Sequence, residues 1–386
     1  NLTLKFSHRV PSLKKNPFSA TIIFLNICHQ MLSPSLYRFL FTGTLLFVKS
    51  SLFGKEITFS EQILGRILDR EERFFAKDSV HEKNEKEMTR QAQEIVANYE
   101  NYIAQNPKDT NALILFGKFL RKVGQEEHAT EFFLEADKIN PKLAVVKQQL
   151  ANYLIEKNMP IDAFPLLVLT IELDPKEAIY HFHLGNFLFL FQEDLIKEKI
   201  LTKSAVQSFM HRSFKEAKNL KPHNLEFQLR YAQSFFDFTD SNKTEALLVW
   251  KHIEHAFPEC TVLEKDYFRL CQARVLLELN FRKDASALIH SVSSKSLRKT
   301  KNQMLMQINF RKIPEPSDTK STPKKHSSVK VDHQLFIPSD PHLNRLRKLT
   351  SKLIEEKMLS ELKVDAIKAK FDPAGDIKIE LTNLQK

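Results

Sequence analysis

Glycine is scarce in this sequence, which has 7 glycines among 386 residues. Loops that bind nucleotide phosphates need clustered glycines, because their backbone must approach the phosphate closely. Neither GxGxxG nor GxxxxGK(S/T) occurs in the chain. The shortage of glycine therefore argues against the common nucleotide-binding enzyme folds.

Cysteine is rarer still, with only Cys28, Cys260 and Cys271 in the chain. No CxxC motif occurs, so neither a disulfide scaffold nor a cysteine zinc site is indicated. An exported chain could pair Cys260 with Cys271. Because Cys271 falls on the buried face of a predicted helix, we expect two free thiols instead.

The recognised catalytic motifs are missing as well, including GxSxG and HExxH. His181 and His183 would point about 200° apart on a helix and cannot share a metal ion. His252 and His255 could share a face, but two imidazoles alone make a poor zinc site. The acidic run at 69–72 is interpreted as a solvated helix face. We predict no catalytic residue, no metal, no cofactor and no enzyme activity.

Acidic residues are absent before Glu56, and residues 20–53 are largely apolar. If translation starts at Met31, residues 39–48 form the short apolar region of a signal peptide. That region is too short to span a bilayer comfortably. We expect residues 1–54 to direct export to a bacterial periplasm or to anchor the chain in a membrane. An organelle transit peptide and an ordinary cytoplasmic start remain alternatives.

An internal repeat is the strongest feature that the sequence does contain. Pro141 and Pro175 lie 34 residues apart (175 − 141 = 34), and each closes the same pattern of small and large apolar residues. The first copy begins at Thr110 and carries the pattern at Leu113, Phe116, Gly117, Leu120, Gly124, Ala129, Phe133 and Ala136.

Further copies follow along the chain. The second copy covers about 144–179, and the third contains a polar insertion near 192–204. A fourth copy closes at Pro258, whereas a fifth is degraded and has no closing proline. Three copies that end in an equivalent X-Pro turn make a chance pattern implausible.

This pattern resembles the tetratricopeptide repeat, whose period is 34 residues. The resemblance implies pairs of helices that stack, because one pair cannot bury its own apolar face. The expected fold class is all-α: a tetratricopeptide-type helical-hairpin solenoid with a small carboxyl-terminal helix and β-hairpin. The expected division is the leader 1–54, a helical lead-in 55–86, a solenoid of about five repeats 87–295, a basic linker 296–341 and a terminal module 342–386.

The resemblance also implies a concave groove lined by the first helix of each pair. Its basic amino-terminal end, its central amides and its aromatic residues would hold a protein or peptide segment. Asn152 and Asn186 recur at one repeat position, and each offers a donor and an acceptor to an extended backbone. The predicted groove residues are Lys118, Arg121, Gln148, Asn152, Phe182, Asn186, Phe189, Leu229, Gln233 and Phe236. The alternative is that Phe182, Phe189 and Phe236 pack against the insertion or the carboxyl-terminal module.

The terminal module has two signals. Apolar residues at helical spacing predict a helix over 342–362. Residues 367–371 and 377–381 alternate between apolar and charged around the turn sequence Asp-Pro-Ala-Gly-Asp, which predicts a β-hairpin. A lone hairpin is only marginally stable. It must therefore pack on the preceding helix, on the solenoid or on another chain.

Charge is concentrated near the carboxyl-terminal end. Residues 291–350 hold 13 Lys and Arg against 4 Asp and Glu, which gives 13 − 4 = +9 of the total net charge of +11. A basic segment attracts acidic proteins, anionic lipid or nucleic acid. Phe310 is the only aromatic residue between Lys295 and Lys330, which argues against a nucleic-acid stacking platform.

These observations favour a non-catalytic protein-interaction module that binds a protein or peptide and no small-molecule substrate. Nucleic acid is not expected as a partner, and a membrane would be contacted only through the amino-terminal segment. The alternative is a structural protein that self-associates through its terminal helix and hairpin.

Overall fold

A computed structural model describes residues 58–76, 85–238, 240–310, 367–372 and 375–381. The predicted leader, most of the predicted linker and the predicted helix over 342–362 lie outside these residues. Fourteen α-helices and one pair of strands are found in the described ranges.

The helices follow one another with short turns between them. In chain order they are α1 (Phe59–Phe75), α2 (Glu85–Gln105), α3 (Thr110–Lys122), α4 (Glu126–Ile139), α5 (Ala144–Glu156), α6 (Pro160–Leu173), α7 (Ala178–Leu190), α8 (Gln192–Lys197), α9 (Lys203–Leu220), α10 (Leu225–Asp237), α11 (Lys243–Ala256), α12 (Val262–Glu278), α13 (Arg282–Ser291) and α14 (Arg298–Phe310).

Five helix pairs form the solenoid: α3 with α4, α5 with α6, α7 with α9, α10 with α11, and α12 with α13. Their first helices α3, α5 and α7 begin at Thr110, Ala144 and Ala178, so the starts are 34 residues apart, which is the tetratricopeptide period. Each pair also packs on the next. The predicted fold class, a tetratricopeptide-type all-α solenoid with a terminal hairpin, is confirmed.

Small residues sit where the two helices of a pair cross. A Cβ atom added to Gly117 of α3 would lie 2.7 Å from the Phe133 ring of α4. At the equivalent position of α7, a Cβ atom on Gly185 would lie 2.6 Å from the Phe214 ring of α9. The repeated small residue therefore allows a large ring to lie directly on the helix backbone.

The insertion in the third pair forms a short helix. Residues 192–197 make α8, whose Leu195 side chain is fully buried against the solenoid. Lys199, just after α8, has a φ of 56°, in the left-handed region that L-residues with a side chain rarely adopt. Because Leu195 is buried, the inserted helix α8 stays packed on the repeat that contains it.

An additional helix pair, α1 with α2, precedes the first repeat. Helix α1 begins with a capping box, in which Thr58 and Glu61 satisfy each other's backbone amides. Its Glu71 side chain is buried and accepts a hydrogen bond of 2.9 Å from the Tyr99 hydroxyl of α2. The interpretation of 69–72 as a solvated face is therefore wrong for Glu71, which joins the two helices.

At the carboxyl-terminal end of the solenoid, one buried carboxylate holds the turn after α13. Asp266 of α12 is fully buried and accepts hydrogen bonds from the backbone amides of Ser293 and Ser294, at 2.9 and 2.8 Å. Both serine hydroxyls donate to the same carboxylate oxygen. These bonds fix the turn that leads from α13 into α14.

The predicted hairpin consists of strands β1 (Ile367–Phe371) and β2 (Ile377–Leu381). They pair antiparallel, with Ala369 opposite Ile379. The hairpin packs on the solenoid, against α2 and the turn between α3 and α4. Of the three packing sites expected from the sequence, the structure shows this one.

Candidate peptide-binding groove

The first helices of the five pairs, α3, α5, α7, α10 and α12, are called the inner helices below. Side-chain contacts join each of them to the next, from the Arg121 contact with α5 to the Gln233 contact with α12. The inner helices therefore form one continuous surface. Five of the ten predicted groove residues are half-buried on it, and the other five are buried: Arg121, Gln148, Asn152, Phe182 and Asn186.

At the predicted basic end of this surface, the lysines of α3 lie beside residues of helix α1. Lys118 of α3 lies near the Glu71 carboxylate of α1, and burial lowers the pKa of Lys118 to about 8 despite that carboxylate. Lys122 places its ammonium group 3.4 Å from the centre of the Phe75 ring of α1. Helix α1 thus covers the part of the groove that the sequence suggested would attract acidic groups.

Arg121 is likewise an internal residue. It is buried, donates 3.1 Å to the Gln149 carbonyl oxygen, and forms an ion pair with Glu156 at the end of α5. A buried ion pair positions helices more than it attracts a ligand, because both charges are already matched. The role expected of Arg121 in binding is better described as holding α3 against α5.

Amide side chains occupy the middle of the surface. Gln148 of α5 contacts the buried Nδ1 atom of His183 in α7, and burial lowers the pKa of His183 to about 4. Asn186 of α7 accepts a hydrogen bond of 3.3 Å from Nε of Arg230 in α10. Asn152, at the equivalent position of α5, is 7% exposed, and its side chain makes no hydrogen bond among the described residues.

Among the groove amides, the Asn152 side chain therefore has the most hydrogen-bonding capacity left for a ligand. Its amide group can donate and accept at the same time. Because the Asn152 side chain keeps some exposure, a bound backbone amide could take the place of water at it. Asn186 keeps its amide nitrogen for a ligand, since the Arg230 contact uses its oxygen.

Phe182 does not line the groove. Its side chain is 3% exposed, and its ring lies 4.7 Å from the Phe227 ring and 6.0 Å from the Phe214 ring. The groove assignment of Phe182 is corrected on this ground. Its position in the repeat faces the next inner helix, so a phenyl ring there fills the space between α7, α9 and α10.

Arg230 is a central residue that the sequence did not reveal. Its guanidinium carbon lies 4.4 Å from the centre of the Phe189 ring and 4.3 Å from that of Phe214. An ion pair of 3.0 Å with Asp237 holds it from the other side. An arginine in a helix of a single sequence is normally interpreted as a solvated residue, so no signal distinguished this one.

The partly exposed apolar residues of the groove lie on α7 and α10. Phe189 and Leu229 are half-buried, and Leu190, the last residue of α7, is 63% exposed. Phe236 is half-buried between Trp250 and Arg274, whose guanidinium carbon lies 4.0 Å from its ring centre. These side chains offer an apolar surface beside the amides of the middle repeats.

At the carboxyl-terminal side of the groove, one hydrogen bond joins the inner helices α10 and α12. Gln233 donates a hydrogen bond of 3.1 Å to the hydroxyl oxygen of Tyr267 in α12. Each arginine of the groove pairs with a carboxylate within the chain: Arg121 with Glu156, Arg230 with Asp237, and Arg274 with Glu278 at 3.4 Å. With its charges paired in this way, the surface selects by shape and hydrogen bonding more than by net charge.

Other kinds of site were sought in the described ranges. No group of three or more His, Cys, Asp or Glu residues there is arranged to hold a metal ion. None of the described helices has the length and apolar character needed to cross a membrane. Cys260 and Cys271 are buried and are not joined by a disulfide bond, and His252 and His255 are exposed.

Comparison with solved structures finds tetratricopeptide proteins. The chain is similar to YrrB, described as a TPR protein with an unusual peptide-binding site, at 14% identity over 55% of this chain and 97% of that one, with a TM-score of 0.42. It is similar to PilW, a widely conserved type IV pilus biogenesis factor, at 13% identity over 62% and 97%, with a TM-score of 0.41. PilF of Pseudomonas aeruginosa matches at 11% identity over 63% and 99%, also at 0.41. No protein-family model and no curated protein matches the chain.

Proposed function

We propose that this chain is a non-catalytic protein-interaction scaffold whose inner helices hold a segment of a partner protein. The observation that carries the proposal is the position of Asn152. Its side chain is 7% exposed and makes no hydrogen bond among the described residues, on the inner-helix surface where Gln148 contacts His183 and Asn186 accepts from Arg230.

The chemistry of the neighbouring residues defines the segment that would fit. Asn152 and the free amide nitrogen of Asn186 suit the carbonyl and amide groups of an extended backbone. Phe189, Leu190 and Leu229 suit apolar side chains that project from it, because burying them removes apolar area from water. The proposed ligand is therefore an extended peptide segment with apolar side chains and little net charge.

A peptide-display experiment tests this proposal. Random peptides would be selected on the full chain, and the dissociation constants of the recovered peptides would then be measured for Asn152→Ala. Loss of one hydrogen-bonding amide should weaken binding about 5- to 10-fold. Selected peptides that bind Asn152→Ala as tightly as the parent protein would refute the groove assignment.

Export or an amino-terminal membrane tether is part of the proposal and rests on composition alone. Residues 31–54 combine an early basic residue with a short apolar region and contain no acidic residue, which is the pattern of a signal peptide. Sequencing the amino terminus of the mature protein from its native host tests this. Cleavage near Gly54 supports export, whereas a mature chain that begins at Met31 supports a tether or an uncleaved start.

A further inference from the structure

The docked hairpin contacts both helices at the amino-terminal end of the groove. On one edge, the Thr89 hydroxyl of α2 accepts a hydrogen bond of 3.0 Å from the Ala369 amide, and Gln93 donates 3.0 Å to the Ile367 carbonyl oxygen. On the other edge, the Val123 carbonyl oxygen accepts 2.9 Å from the amide of Ile379. The hairpin thus bridges α2 and the end of α3.

These hydrogen bonds satisfy backbone groups that the hairpin and the end of α3 would otherwise leave unpaired. A two-stranded hairpin exposes the outward amide and carbonyl groups of both strands and is marginal alone. Helix α3 ends at Lys122, so the carbonyl of Val123 has no helical partner. Gln125, beside it, donates 2.8 Å to the Ile379 carbonyl oxygen. Each element therefore completes the hydrogen bonding of the other.

The side chains of the hairpin agree with this arrangement. Ile367, Ala369, Ile377 and Ile379 are buried, while the residues between them are more exposed. Lys378 lies against the α3–α4 turn, where a Cβ atom on Gly124 would stand 2.9 Å from its side chain. The apolar face is thereby covered within the chain.

One of the two contacted helices, α3, is the first inner helix of the groove, and the other, α2, packs against it. Helix α3 contains Lys118 and also Arg121, which bonds Gln149 and Glu156 of α5. Helix α2 contains Tyr99, whose ring stacks on Phe116 of α3 with centres 5.0 Å apart.

We infer that the carboxyl-terminal hairpin is a clasp: its docking holds α2 and α3 in place, and its release loosens the amino-terminal part of the groove. The inference rests on the proposed function for the role of the groove. The contacts of the clasp themselves do not depend on any partner. A binding surface that is loosened in this way would have to be ordered again before it could hold a ligand.

Hydrogen–deuterium exchange on the full chain tests the clasp. Ile379→Gln places an amide in the buried face, and Glu380→Gln places the same side chain on the exposed face as a matched control. We expect the amides of α2 and α3 to exchange about tenfold faster in Ile379→Gln, because their local opening becomes easier. The amides of α12 and α13 should be unchanged, and Glu380→Gln should match the parent protein throughout.

Three results would overturn the inference: no change anywhere, faster exchange in the hairpin alone, or equal acceleration in every helix. Thr89→Val removes one hydroxyl from the α2 side of the same contact and should give the pattern expected for Ile379→Gln, even if that variant fails to fold. Because the readout needs no ligand, it separates failure of the clasp from failure of the proposed peptide binding.

Discussion

Gly185 of α7 lies against the ring of Phe214 in α9 so closely that an added Cβ atom would stand 2.6 Å from a ring carbon. Gly117 of α3, two repeats earlier, has the same relationship with Phe133 of α4, at 2.7 Å. In both pairs the missing side chain lets an aromatic ring contact the neighbouring helix backbone. The solenoid therefore depends on small residues at these crossings as much as on large ones.

Gly185→Ala should lower the free energy of unfolding by about 1–3 kcal/mol, because the new methyl group forces the Phe214 ring from its position. The matched control is Gly65→Ala in α1, where nothing lies within 4 Å of the added Cβ atom. That change should instead stabilise the helix by about 0.5–1 kcal/mol. Urea unfolding measures the free energy of unfolding of both variants. Changes of the same sign would contradict the explanation that Gly185 makes room for the Phe214 ring.

Asp266 should make stability depend on pH. Burial alone would raise its pKa, but the hydrogen bonds from Ser294 and Ser293 outweigh that effect and lower the pKa below its usual value. A lowered folded-state pKa stabilises the fold above the unfolded-state pKa, and this stabilisation is lost as the pH falls through the folded value.

Asp266→Asn should therefore cost about 1.5–3 kcal/mol at neutral pH, the range for hydrogen bonds to a charged group. The difference from the parent protein should shrink as the pH falls below the unfolded-state pKa of about 4 and through the lower folded-state pKa, because the parent carboxylate then becomes neutral. Unfolding followed at a series of pH values measures this difference. Asp284→Asn, at an exposed position of α13, is the control, and a pH-independent difference for Asp266→Asn would contradict the explanation.

Asn152 and Asn186 should respond differently to the same substitution. Asn152→Ala removes an amide that makes no hydrogen bond among the described residues and should leave the melting temperature nearly unchanged. Asn186→Ala deprives the buried Arg230 guanidinium of an acceptor and should cost about 1–2 kcal/mol. Thermal unfolding of the two variants separates a ligand-binding amide from a structural one. An equal loss of stability would mean that Asn152 also supports the fold.

The sequence predicted the repeat well because its cause is local and periodic. Small residues such as Gly117 and closing prolines such as Pro141 recur at fixed spacing, and helices α3, α5 and α7 begin where that spacing requires. The hairpin was predicted for a similar reason, since the alternation of apolar and charged residues is a property of each strand.

The contacts between distant segments could not be predicted in this way. Nothing in residues 367–381 indicated that Thr89 and Gln93 would bond them, because that contact joins segments far apart in the chain. The same limit explains Arg230, whose two phenylalanine neighbours come from α7 and α9. Phe182 was assigned to the groove because its repeat position was known but the packing of its neighbours was not.

The electrostatic character of the groove also depended on tertiary structure. Lys118 and Arg121 suggested a basic end when considered within α3 alone. Their counter-charges, Glu71 and Glu156, come from α1 and from the end of α5. A segment bound here would meet paired charges and free amides, so binding should depend only weakly on salt.

The most direct test of the central claim uses two leucines with the same exposure. Leu190 ends the inner helix α7 and Leu248 lies on α11, the second helix of its pair, and each is 63% exposed. The measurement is the dissociation constant of a display-selected peptide for Leu190→Arg and for Leu248→Arg. Binding to Leu190→Arg should be at least about tenfold weaker than to the parent protein, with Leu248→Arg unaffected. Equal affinities for the two variants would contradict the account.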